Sequence, residues 1–238
     1  MKIGKLSLLI ILGIVLFISC SKEEDDLISQ NCEANCTEIV GKVMTNNGST
    51  PIPNLKISLV WNHNPNSGPN LIRKKASTKT DDEGNYSLKF YLRDDELDNG
   101  FHRLYHDEIE NSEFLAPNLN GITALFNLNR DTLLLQNHNV VKKAFVNLTL
   151  LNLDDIQGSN KFWTNFEYPS PSGFSQSIDG AIRSWTNDFE SNQLLEIAGN
   201  QPVVIEIVRK INDITTREND TIFVDAGTTL NYTVDFNN

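Results

Sequence analysis

The sequence predicts an all-β protein of two tandem antiparallel β-sandwich domains, set behind an N-terminal export signal and a flexible tether. Two observations point there. From Thr37 onward, short apolar stretches alternate with period two and are separated by clusters of Gly, Pro, Asn and Asp, the pattern of half-buried strands joined by turns. In addition, no amphipathic run exceeds two helical turns, which leaves sheet-on-sheet packing as the way to bury the apolar faces.

The chain opens with a short basic lead, Met1-Lys2-Ile3-Gly4-Lys5, followed by an apolar run from Leu6 to Ile18 broken only by Ser7 and Gly13. That run has the length of a signal-peptide core and falls short of the ~20 residues a membrane-spanning helix needs. It ends in Phe17-Ile18-Ser19-Cys20, which resembles the lipobox of bacterial lipoproteins, with Phe17 in place of the usual Leu. The resemblance implies a signal peptide over residues 1–19 and lipidation of Cys20, making the membrane the first partner. A single acyl chain binds a bilayer only marginally, so stable anchoring takes the several chains that lipoprotein processing adds.

Residues 20–36 read as an acidic tether. Ser21-Lys22-Glu23-Glu24-Asp25-Asp26 has no apolar period and resembles the surface-export tag of Bacteroidota lipoproteins. That implies an outer-membrane address with the protein exposed at the cell surface; a plain solvated spacer is the other reading. Cys32 and Cys36 lie in this stretch. In an oxidising compartment they can close a small disulfide loop, with free thiols as the alternative. The C-x3-C spacing lacks a βαβ setting for redox chemistry, and two further metal ligands are missing nearby.

Net charge is −11, and loss of Lys2 and Lys5 with the signal takes it to −13. Without clustered Lys and Arg to neutralise phosphates, nucleic acid is excluded as a partner.

Strands follow in order. Thr37–Met44 is closed by Asn46-Asn47-Gly48, and Pro51-Ile52-Pro53-Asn54 forms a rigid turn. Leu55–Trp61 places Leu55, Ile57, Leu59 and Trp61 on one face. Ile72–Thr80 reads as an edge strand on which Arg73, Lys74 and Lys75 discourage pairing with another edge. Asp81-Asp82-Glu83-Gly84-Asn85 makes a tight turn into the alternating Tyr86–Leu92.

Gly41-x-Val43, the Pro51–Asn54 turn and Thr80-Asp81-x-x-Gly84-Asn85-Tyr86-Ser87-Leu88 together resemble the carboxypeptidase-regulatory-like family of transthyretin-like β-sandwiches. The resemblance covers residues 37–92. It implies a first sandwich over 37–138, closed by strands at Phe101–Tyr105, Thr123–Leu128 and Thr132–Gln136, and a non-catalytic accessory module.

The second domain, 139–238, carries strands at Ala144–Asn152, Phe162–Tyr168, Leu194–Ala198, Pro202–Arg209, Asp220–Val224 and Leu230–Phe236. It has no family resemblance.

Candidate chemistry is sparse. His102 and His106 are four apart, but Arg103 occupies the position where a zinc-peptidase motif has Glu, so a solvated loop pair is expected. The Asp81–Gly84 turn lacks the alternating ligands of a calcium loop. No phosphate-binding loop, dinucleotide fingerprint or serine elbow is present, so neither a catalytic residue, a metal site nor a cofactor is expected. The aromatic stretch Phe162–Phe189 is the remaining candidate. Its Trp163, Tyr168 and Trp185 could form a sugar-stacking platform or fill the core. The function expected is a lipid-anchored envelope module that binds or scaffolds, adhesive or accessory to nutrient uptake. A surface glycan-binding protein is the alternative.

Overall fold

The computed structural model describes residues 22–65, 70–106, 109, 112–115, 121–168 and 183–238. Cys20 with its lipobox and the Pro169–Phe174 stretch lie outside the described residues.

The first half contains β1 (Lys22–Asp25), β2 (Cys36–Thr45), β3 (Thr50–Pro51), β4 (Lys56–His63), β5 (Leu71–Lys79), β6 (Asn85–Tyr91), β7 (Phe101–His106), β8 (Gly121–Leu125), β9 (Leu133–Leu135) and β10 (His138–Asn139). The second half contains β11 (Lys143–Leu151), β12 (Lys161–Glu167), β13 (Arg183–Trp185), β14 (Asn192–Ala198), β15 (Pro202–Ile211), β16 (Ile214–Phe223) and β17 (Thr229–Asp235). Among the described residues, helix is limited to single turns, α1 (Leu27–Gln30), α2 (Asp94–Leu97) and a 3-10 turn at Leu153–Asp155. No described helix is long and apolar enough to cross a membrane.

One sheet of the first half runs β1-β5-β4-β7-β8. The other is built on β2, which pairs with β3, β6, β9 and β10. Alternation along β2, β4 and β6 turns Ile39, Val43, Ile57, Leu59, Tyr86, Leu88 and Phe90 inward, where they form one apolar cluster with Leu104. The second half packs a β14-β11-β17 sheet and a β13-β12-β15-β16 sheet around Val146, Leu148, Phe162, Phe166, Ile205, Ile207 and Phe236. Pairing is mostly antiparallel, but β1 with β5, β2 with β9 and β10, and β11 with β17 are parallel.

The two clusters meet closely in sequence. Val140 packs on the first and Val141 belongs to the second. Leu115, from the first half of the chain, belongs to the second cluster, and its backbone N–H donates a hydrogen bond to the Val141 carbonyl. Asn200 Nδ2 donates to Asn46 Oδ1 at 2.8 Å, tying the two halves together.

Two glycines of the family-like motif have local causes. A Cβ on Gly41 would stand 1.8 Å from the Gln136 carbonyl oxygen, so only glycine lets β2 approach that chain segment. Gly84 closes the Asp81–Asn85 turn at φ 77, a left-handed conformation that favours glycine.

The acidic stretch departs from the tether expected of it. Lys22–Asp25 is a strand in register with Leu71–Lys74, and Asp26 begins α1 as its cap, accepting from the Ser29 amide. β5 is therefore no edge: β1 covers it on one side and β4 on the other. Opposite charges explain the pairing. The acidic run lies beside the Arg73-Lys74-Lys75 run that reads, from sequence, as edge protection.

Candidate functional site

The densest polar constellation in the described residues is where this N-terminal segment meets the sheet. Along β4 and β5, Leu59 pairs with Ala76 and Val60 with Lys74, which leaves Lys75 as the extra residue of a bulge. A bulge re-aims the side chain it carries, and Lys75 is fully buried. Its Nζ donates to Asp26 Oδ2 at 2.5 Å and to Glu96 Oε1 and Oε2 at 2.9 and 2.7 Å. Asp26 comes from the cap of α1, and Glu96 from α2, where its carboxylate also accepts the Arg93 amide.

Two arginines close the cluster. Arg93 donates through Nη2 to Asp26 Oδ1 at 2.7 Å and through Nε to Oδ2 at 3.0 Å. Arg73 bridges Glu24, Asp95 and Glu96, and its guanidinium lies 4.5 Å from the centre of the Trp61 ring. Burial alone would raise the pKa of Asp26, but the hydrogen bonds from Arg93 and Lys75 outweigh it and hold the group below the usual carboxylate value. For Arg73, burial opposes the charge and the three carboxylates overcome it, so its pKa is raised.

The two buried histidines are structural. His102 lies on β7 and is buried, with its Nε2 making no hydrogen bond; burial, then the charge of Lys75, pushes its pKa down to about 3. The expectation of a solvated loop pair with His106 fails because β7 alternation turns His102 into the sandwich. His138 is likewise buried. Its Nε2 lies 3.1 Å from the Tyr86 hydroxyl, which donates to the Gln136 carbonyl, and burial, then His106, pushes its pKa down to about 3.

Cys32 and Cys36 are joined as a disulfide with a Cα–Cα distance of 5.9 Å. It closes the short link between α1 and β2.

The three aromatic candidates do not form one surface. Phe162 pairs with Trp185 and Trp163 with Ser184 across β12 and β13. Side chains alternate along a strand, so Trp163 and Trp185 project from opposite faces of the sheet. Trp185 is 3% exposed, donates its indole N–H to Thr164 Oγ1, and lies in the core with Tyr168. Only the half-buried Trp163 stays on the outer face. Burial on one face is decided by register, which an aromatic count along the chain does not disclose.

Among the described residues, no group of three or more His, Cys, Asp or Glu side chains is arranged to hold a metal ion. The Lys75 cluster was missed from sequence because its parts come from positions 26, 75 and 96. The one available signal was an unusual pair of runs, four acids at 23–26 and three bases at 73–75.

No family model matches the chain, and no curated protein sequence does. Among solved structures, the chain is similar to the shaft pilin SpaA from Lactobacillus rhamnosus GG, with 9% identity, 84% of this chain and 97% of that chain covered, and a TM-score of 0.30. A streptococcal ancillary pilin gives 11% identity over 84% and 63% of the two chains at a TM-score of 0.30. BcpA, the major pilin subunit of Bacillus cereus, gives 9% over 79% and 69% at 0.28. Likenesses of this size carry no argument about what the chain does.

Proposed function

We propose that the protein is a lipid-anchored, non-enzymatic scaffolding or binding module of the bacterial envelope, displayed at the cell surface. The observation that carries this reading is how close a described strand lies to the candidate lipidated cysteine. β1 starts at Lys22, two residues after the candidate lipidated Cys20. At ~3.6 Å or less per extended residue, the first sandwich then stands within about 7 Å of its anchor. The acidic run serves as a strand that couples anchor to sheet, and the buried Asp26–Lys75–Glu96 cluster fastens it. Such coupling suits a part that must hold position on a membrane while its far domain meets a partner.

Cys20→Ser is the test. The exported parent should fractionate with membranes and be cut by protease on intact cells, whereas the variant should be released to the soluble fraction. A variant that stays with membranes contradicts the anchor, and a parent shielded until the outer membrane is broken contradicts surface display.

A further inference from the structure

We propose that Lys75 and Asp26 condense into an intramolecular amide cross-link, with Glu96 as the catalytic residue that moves the protons. Three observations support it. The Lys75, Asp26 and Glu96 side chains are all fully buried, so water neither solvates the amine nor competes for the carboxyl. Lys75 Nζ sits 2.5 Å from Asp26 Oδ2, fixed by the bulge on one side and the α1 cap on the other; holding two reacting groups in place removes most of the entropic barrier to joining them. The remaining oxygen, Oδ1, accepts from the Ser29 amide at 3.2 Å and Arg93 Nη2 at 2.7 Å. Two donors aimed at one carboxyl oxygen stabilise the negative charge that collects there on addition.

Glu96 completes the set because both of its oxygens hold Nζ. One ammonium proton passes through Glu96 to Asp26 Oδ2, leaving a neutral amine. Nζ then adds to the Asp26 carboxyl carbon, and charge builds on Oδ1. A second proton follows the same route to Oδ2, the bond from the carboxyl carbon to Oδ2 breaks, and water leaves. Nitrogen keeps one proton as the amide N–H, so no oxidant, reductant or co-reactant is consumed. The change also replaces a buried ion pair, which carries a heavy desolvation cost, by a neutral amide.

The cross-link would join the chain just beyond the anchor to an interior strand, so that tension on residue 20 bypasses the β1–β5 hydrogen bonds. The chemistry stands without the lipid; its mechanical role rests on the anchoring proposed above.

Tryptic mapping of the purified full-length chain, reduced and alkylated, decides it. The expected product is a branched peptide in which 23–42 is joined to 75–79 through Lys75, lighter than the two peptides together by one water. Recovery of 23–42 as a linear peptide, with cleavage after a free Lys75 releasing 76–79, overturns the proposal. Glu96→Gln, which keeps the side chain's size, should abolish the branch while the far-ultraviolet β spectrum is retained. A branch that persists in E96Q overturns the role given to Glu96. A C20S chain carries the same branch if the chemistry is right, whatever becomes of the anchor.

Discussion

Acidification should destabilise the first sandwich well before its carboxylates titrate. His102 and His138 hold pKa values of about 3 in the folded chain against an ordinary value of 6.5. Below pH 6.5 the unfolded chain binds a proton at each site that the folded chain refuses, so stability falls as pH drops through 6.5 and keeps falling to about pH 3. At pH 5 the gap is about 1.5 units, or about 2 kcal/mol per histidine at 1.36 kcal/mol per unit. The two together cost about 4 kcal/mol, a large share of a domain's stability. Asp26 has the same sign in a lower window: as a free carboxylate its folded pKa is lowered from 3.8, so its contribution is present above that value and is lost only as pH falls below it. It is silent between pH 7 and pH 5. The assay is urea unfolding at both values, for the parent and for His102→Gln. The parent's midpoint should drop, and H102Q should lose about half as much between the two pH values. Equal midpoints for the parent at pH 7 and pH 5, or an unchanged drop in H102Q, would refute the assignment.

Other perturbations test the remaining parts. Lys75→Ala should destabilise by about 3–5 kcal/mol, because Asp26 and Glu96 stay buried with neither the Lys75 amine nor a cross-link beside them; thermal unfolding reads this. Trp185→Ala should cost about 3–5 kcal/mol as a core truncation, while Trp163→Ala on the outer face costs less, and equal losses would contradict the facing inferred from register. Gly41→Ala should cost at least ~1–3 kcal/mol, since β2 must move away from Gln136 to seat the methyl group. Reducing the Cys32–Cys36 disulfide should cost about 2 kcal/mol on the chain-entropy model, small because the loop is short; calorimetry with and without reductant measures it.

Most strands were legible in the sequence because one face of each is buried. Period two along Leu55–Trp61 and Tyr86–Leu92 reports that directly, and Gly84 and Pro53-Asn54 mark turns by backbone demand, with Asn54 at φ 58. β1 was illegible for a physical reason. Acidic residues are poor strand formers by local preference, and only the basic run on β5, nearly fifty residues away, makes Glu23–Asp26 a strand and cap. Lys75 reads as a surface charge by type and is buried by a bulge, which no local pattern encodes. The same limit applies to Trp163 and Trp185: composition supplied the aromatics, and register decided their faces.

Amide hydrogen exchange over residues 23–31 tests most directly whether anchor and fold are one unit. Protection comparable to that of β5 is expected, because the Asp26 amide donates to the Lys74 carbonyl and the segment pairs in register with Leu71–Lys74. Exchange at the rate of unstructured chain would contradict it and return these residues to a tether.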